Sequence, residues 1–236
     1  MSSCGRVNAN CSDYAVIFDL DGVIVSTDDC HYRAWKRLAD EECIPFDAEI
    51  NNRLRGVSRM ESLEIILEKS PRVYSDDQKQ VLAERKNGYY RELLQSLSPS
   101  DVLPGALELI TALKERGFRV AIGSSSRNCP IILERIGLKS VFDVVVDGNC
   151  ISRSKPDPEV FMKAAEKLGI PPKRCVVIED AEAGVEAAAR AGMPVIAVGA
   201  AAGSPLAALS AQDLTTITAD TIIRVLAGCP DSADTL

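Results

Sequence analysis

Histidine and tryptophan each occur once in the 236 residues, and aromatic residues together make up only 5% of the chain. No apolar run approaches the roughly 18 residues that a membrane span requires. None of the eight cysteines forms a C-x-x-C pair, and one imidazole is too few to complete a mixed cysteine–histidine zinc set. The thiols are therefore expected to be reduced and mostly buried. Basic runs are missing too. Lys plus Arg is 27 against 34 for Asp plus Glu, a net charge of −7, and nothing in the sequence could track a phosphate backbone. Residues 1–10 lack the charged start and apolar stretch of a leader. The expectation is a soluble cytoplasmic monomer that binds neither nucleic acid nor membrane. An anionic ligand would meet an opposing long-range field, so its binding must come from a few local cations, backbone N–H groups or a metal.

Hydrophobic residues make up 46% and charged residues 26%, which is ordinary globular usage, and the length allows one large domain or two small ones. Residues 14–21 (YAVIFDLD) begin as a continuous apolar run, the pattern of a strand covered on both faces. Residues 118–124, 175–180 and 194–199 repeat it, and 142–148 is a shorter, more polar version. Helical patterns lie between them at 105–116, 128–136 and 158–168, each closed by a glycine. The alternation predicts a doubly wound, Rossmann-like parallel α/β sheet. Residues 27–98 break the rhythm, with helical patterns only, at 28–42, 58–69 and 75–97. This reads as an all-helical module inserted after the first strand. The predicted organisation is a discontinuous core, 1–26 and 99–236, with a cap over 27–98.

Asp19 and Asp21 stand where the first apolar run stops and Gly22 turns, and residues two apart on a strand share a side. Glu179 and Asp180 end another strand at the same edge, where open α/β sheets bind ligands. One strand-end aspartate is ordinarily a helix cap, but two such pairs point to a site. Four converging carboxylates repel unless a cation joins them, and oxygen-only ligands favour Mg²⁺. Even with a divalent ion and a lysine the cluster stays negative, so one carboxyl should keep a proton. A protonated aspartate beside an ionised one makes an acid and a nucleophile, and Asp21, the outer member, is the natural acid. Ser124 ends the second strand and leads through Ser125, Ser126 and Arg127 to Asn128 at a helix start, a setting that suits phosphate or a plain serine cap. Lys155 precedes a Pro-x-Pro corner expected to hold its backbone extended.

Phe18-Asp19-Leu20-Asp21-Gly22-Val23, Ser124, Lys155-Pro156 and Glu179-Asp180 resemble the four motifs of the haloacid dehalogenase superfamily of phosphotransferases, in order, from residue 14 to residue 199. That resemblance implies that Asp19 becomes an aspartyl phosphate and that Asp21 is the acid and base. It also implies that Ser124 and Lys155 hold the phosphoryl group, with Ser125 beside them. Asp19, Asp21 through its carbonyl, Glu179 and Asp180 would surround Mg²⁺.

The inserted module is similar to the cap of the beta-phosphoglucomutase family at His31-Tyr32-Arg33-Ala34-Trp35-Lys36, at Leu54-Arg55-Gly56-Val57-Ser58-Arg59 and at Arg85-Lys86-Asn87. The resemblance implies that Arg59 grips a distal phosphate and that Thr27, His31, Trp35, Arg55, Gly56 and Lys86 shape the sugar pocket or hinge. Ser126, Arg127 and Asn128 would contact substrate from the core side. It further implies sugar-phosphate substrates and β-D-glucose 1,6-bisphosphate as primer and intermediate. Each cap residue also has a plainer structural reading: His31 and Trp35 are four apart and could be a packed helix stripe, and Arg55, Arg59 and Lys86 could be solvated charges. Three positions depart from the family pattern: Arg55 replaces a lysine, Ser26 an acidic residue and Ala181 a serine. A guanidinium is not interchangeable with an ammonium, so sugar choice could shift. A sugar-phosphate phosphatase on the same fold is the main rival. A phospho-acceptor receiver module, the non-enzymatic alternative, would need no inserted helical segment.

Overall fold

The computed structural model describes residues 11–54 and 57–228. Its centre is a six-stranded, wholly parallel sheet. In chain order the strands are β1 (Ala15–Phe18), β2 (Arg119–Gly123), β3 (Val144–Val146), β4 (Cys175–Glu179), β5 (Val195–Val198) and β6 (Leu209–Ala211), and in space they run β3-β2-β1-β4-β5-β6. The first strand in sequence is thus central in the sheet, flanked by β2 and β4 in matched register, with Phe18 opposite Ile122 and Ile178. Its residues alternate between two buried clusters. Val16 and Phe18 join one, Ala15 and Ile17 the other, and both faces of the sheet are covered. That double burial is why the strand reads as an unbroken apolar run.

Four helices lie between β1 and the next core helix: α1 (Asp28–Glu41), α2 (Ala48–Asn52), α3 (Arg59–Leu67) and α4 (Asp76–Leu93). Their starts follow local capping chemistry. Asp47 accepts from the Ile50 N–H, and Ser58 and Ser75 form reciprocal capping boxes with Glu61 and Gln78. Trp35, Leu38, Leu63, Ile66, Leu82 and neighbouring apolar side chains give these helices a core of their own. Where the chain passes between the helical segment and the sheet, the two crossings lie side by side: Val25 bridges Val102, and the Leu103 N–H donates to the Ile24 carbonyl at 2.8 Å. The remaining helices, α5 (Ala106–Glu115), α6 (Cys129–Arg135), α7 (Glu159–Leu168), α8 (Glu182–Arg190) and α9 (Ala219–Leu226), accompany the sheet.

Three local features differ from the sequence reading. β1 ends at Phe18 rather than at Asp21, because Gly22, at φ 78°, folds the chain back so that its N–H meets the Val25 carbonyl. β6 was not anticipated; three residues, Leu-Ser-Ala, at a half-exposed edge carry no readable period. The five-residue α2 escaped notice for the same reason. Among the described residues Cys11, Cys30, Cys129 and Cys175 are buried. No helix of the described residues is long and apolar enough to cross a membrane.

Candidate active site

Strand order assembles the site. β2, β1 and β4 are neighbours, so Asp19, Ser124 and Glu179 leave the sheet at one carboxyl edge. The Asp19 N–H extends the ladder to the Ile178 carbonyl at 2.9 Å, and that of Ser124 reaches the Val146 carbonyl at 3.0 Å. Lys155 arrives on the loop after β3 and donates to Asp19 Oδ1 and, at 2.8 Å, to Glu179 Oε2. Burial alone would depress the lysine, but the two carboxylates outweigh it and raise its pKa, keeping the charge in place. Its loop is anchored by Glu159, whose carboxylate accepts from Lys163, from the Ser152 N–H and hydroxyl and from the Arg153 N–H. These bonds, the one from Lys163 foremost, hold the Glu159 pKa down at about 2. The Lys155–Pro156 bond is cis.

Oxygen atoms of Asp19, Glu179 and Asp180 lie within 4.8 Å of one another. Two glycines give them room. A Cβ on Gly22 would lie 2.0 Å from Asp180 Oδ2, and one on Gly184, in α8, 2.0 Å from the Glu179 carboxyl carbon. Burial, reinforced by Asp19, Glu179 and Asp21, pushes the Asp180 pKa up to about 8. Burial and Asp19 move Glu179 the same way against the pull of Lys155. An all-oxygen donor set with this much uncompensated charge fits a hard divalent cation, Mg²⁺ in kind.

The Asp21 carboxyl is not in this group, which corrects the expectation of four converging carboxylates. Because β1 stops at Phe18, the alternation of a strand does not govern Asp21, and its side chain meets Thr27 instead. The Thr27 N–H donates to Oδ1 at 2.7 Å and the Thr27 hydroxyl to Oδ2, while the Tyr90 hydroxyl lies 2.8 Å from that of Thr27. Burial raises the Asp21 pKa to about 6, and the Thr27 bonds restrain the rise. His31 Nε2 approaches Asp21 Oδ2 at 3.9 Å, and Lys86 Nζ lies 2.8 Å from His31 Nδ1. When Lys86 is charged it can only donate, so Nδ1 then accepts and the proton of the neutral ring sits on Nε2, toward Asp21. Burial, with Lys86 and Arg59, drives the His31 pKa well below 6.5, so the ring is neutral. Lys86 itself is lowered to about 7 by burial and Arg59. It stacks over Trp35 at 4.6 Å and Tyr90 at 4.7 Å, in place of a carboxylate partner.

Asp19, Asp21, His31, Trp35, Lys86, Tyr90, Lys155, Glu179 and Asp180 share one cavity of about 760 Å³ with Arg59, Ser124, Ser125, Ser126, Arg127 and Asn128, whereas Thr27 is buried and does not line it. Ser124 Oγ accepts from the Ser126 N–H at 3.1 Å, tying the loop rather than capping α6. The buried Ser125 hydroxyl has no hydrogen-bond partner among the described residues. Arg59 is the first residue of α3, placed there by the Ser58 cap. Trp35 is both things at once: 2% exposed in the helical core, and part of the cavity wall. Arg55 and Gly56 lie outside the described residues. Tyr90, Glu159 and Glu84 were missed by the sequence reading, and Asn87 entered it only as part of the Arg85-Lys86-Asn87 motif, with no role assigned. Only Glu159, directly after the KPDP turn, had a local signal.

A carboxylate cluster at the carboxyl edge of a parallel sheet, roofed by inserted helices, defines a phosphotransferase-type α/β protein, and the haloacid dehalogenase-like hydrolase family matches residues 15–192; the chain belongs to that family. Within it, the chain is 44% identical over 214 residues to the beta-phosphoglucomutase of Bacillus subtilis, covering 90% of this chain and 93% of that one. A crystal structure of beta-phosphoglucomutase from Clostridium difficile superposes with a TM-score of 0.84 at 35% identity, covering 91% of this chain and 97% of the other. A phosphorylated carbohydrates phosphatase of Thermotoga maritima is 34% identical over 76% of this chain and 82% of its own.

Proposed function

We propose that the chain is a phosphomutase that interconverts β-D-glucose 1-phosphate and D-glucose 6-phosphate through an aspartyl phosphate on Asp19 and β-D-glucose 1,6-bisphosphate. The observation that carries this reading is a second cationic position, Arg59 on the cap, in the same cavity as Asp19 and Lys155. A hydrolase needs one phosphate site; a mutase needs two, so that C1 and C6 can exchange places.

In the first half-reaction the free oxygen of Asp19 attacks phosphorus and the bond to the sugar oxygen breaks, with the proton of Asp21 passing to that oxygen. In the reverse step Asp21 takes the proton of the other sugar hydroxyl, which attacks the aspartyl phosphate and restores Asp19. Lys155 and the hydroxyls of Ser124 and Ser125 stabilise charge on the transferring group. Arg59, with Ser126, Arg127 and Asn128, holds the far phosphate; His31, Trp35 and Lys86 line the sugar side, Thr27 acts through Asp21, and the family resemblance adds Arg55 and Gly56 to the substrate-binding set. Asp19, Glu179, Asp180 and the Asp21 carbonyl would hold Mg²⁺, which when bound draws charge from the phosphoryl oxygens. Residues 27–98 act as the cap, and its closure over the cavity excludes water in favour of the sugar hydroxyl.

Glucose 6-phosphate formation from the β anomer, measured with and without bisphosphate primer, tests the assignment. Primer-dependent product with little free phosphate supports it. Release of inorganic phosphate at a comparable rate assigns the chain to the phosphatases, the reading favoured by its Thermotoga relative.

A further inference from the structure

The proposed function gives Arg59 and Asn128 a common task at the far phosphate, yet here both are already held by one helix. Arg59 Nη1 donates to Glu84 Oε2 at 3.4 Å. Asn128 Nδ2 donates to Asn87 Oδ1 at 3.0 Å, and Asn87 Nδ2 donates in turn to Glu84 Oε1 at 3.3 Å. Glu84 and Asn87 are one turn apart on α4 and so share a face. A continuous chain of hydrogen bonds therefore runs from a guanidinium on the helical segment to an amide on the sheet side, along the wall of the cavity. Glu84 also offsets burial and Arg127, both of which press against the charge on Arg59.

We propose that Glu84 and Asn87 are an internal stand-in for the second phosphate: their oxygens occupy Arg59 and Asn128 in the empty enzyme and give way when a sugar phosphate presents its own. The inference rests on Arg59 being the distal phosphate grip. Phosphate offers a guanidinium several charged oxygens and a bidentate fit, so the exchange runs toward the ligand. Because the ligand must first displace Glu84 from Arg59, the net hold on the phosphate is weaker than Arg59 alone would give. A mutase benefits from that weakness, because the bisphosphate must leave one orientation and take the other. Glu84 is 72% exposed, which keeps the effect small, on the order of two- to fivefold in affinity.

The test is a primer titration in the mutase assay with Glu84→Gln, Glu84→Ala, Arg59→Ala and the double variant Arg59→Ala/Glu84→Gln. Both Glu84 variants should lower the KM for β-D-glucose 1,6-bisphosphate about two- to fivefold without raising kcat, and added salt should shrink the gain. In the Arg59→Ala background the Glu84 change should have no effect, since the grip it competes for is gone. An unchanged or higher KM in the single Glu84 variants overturns the inference, as does a gain that persists without Arg59. If Arg59→Ala itself leaves the primer KM untouched, the two-site reading of the function falls instead.

Discussion

In the proposed mechanism Asp19 attacks as a carboxylate while sitting beside two other carboxylates, and the lysine held between Asp19 and Glu179 brings positive charge to that group. Asp19→Asn should cut turnover by at least about 10³-fold, since an amide oxygen cannot form the acyl phosphate; steady-state assays with primer check this. Glycine is required at two points for a related reason. In Gly184→Ala the new methyl meets the carboxyl of Glu179, which is buried and bonded to Lys155, so the acid must shift from its place. The expected result is at least about a tenfold loss of Mg²⁺ affinity, as a displaced ligand carboxylate costs on the order of 1.4 kcal/mol or more. Mg²⁺-dependent activity at increasing ion concentration measures it. The sequence marked Asp19, Asp21, Ser124, Lys155, Glu179 and Asp180 individually, because each breaks an apolar run or stands at a turn. It gave no sign of Tyr90, and none of the role of Asn87, whose partners are 63 and 41 residues away.

Among the elements, α1 and α4 decide how the acid is held. Thr27 stands just before α1 with its hydroxyl turned to Asp21 rather than to the helix, and α4 supplies Tyr90 and Lys86 to the same neighbourhood. Hydrogen bonds donated by Thr27 favour the ionised form of Asp21, so they lower a pKa that burial raises to about 6. Thr27→Val removes the hydroxyl donor and keeps the N–H. The Asp21 pKa should then rise, and the limb of the kcat/KM profile that reports it should move to higher pH. A profile superimposable on that of the parent would remove Thr27 from the control of Asp21. The longer helices α1, α3, α4 and α5 to α7 were legible through their 3.6-residue periods and, in the core, their glycine stops, whereas α2 was not. β1, by contrast, was drawn three residues too long, since the alternation of L-D after Phe18-Asp19 continues a strand pattern up to the Gly22 turn, whereas the ladder ends at Phe18.

For the molecule as a whole, the clustered acids link stability to both protons and metal. Asp21, Glu179 and Asp180 have folded-state pKa values above those of the unfolded chain. The folded state therefore binds more protons across the window from about pH 4 to about pH 8, and metal-free stability falls as pH rises through it. His31 acts oppositely below its ordinary pKa of 6.5, because its folded value is depressed, and Lys86 acts oppositely above about 7. Mg²⁺ should raise the melting temperature by several degrees more near pH 8 than near pH 5, where protons already neutralise the cluster; each kcal/mol corresponds to roughly 2–4 °C in a chain of this size. Thermal melts at the two pH values, with and without Mg²⁺, give the comparison. An equal shift at both would mean that the ion does not bind at these carboxylates.

The amino-acid sequence alone determined the parallel sheet, the helical insertion and the chemical type of each residue at the strand ends, because burial on two faces, glycine stops and strand-end carboxylates are local patterns. The tertiary structure alone decided that β1 lies between β2 and β4, that Lys155 sits between Asp19 and Glu179, and that Asp21 turns to Thr27 instead of the metal cluster. It also decided that α4 ties Arg59 to Asn128. The reason is physical. A backbone period reports which side of its own element a residue occupies, whereas the partner of a buried charge is chosen by whatever the fold brings within about 3 Å of it, over any distance along the chain.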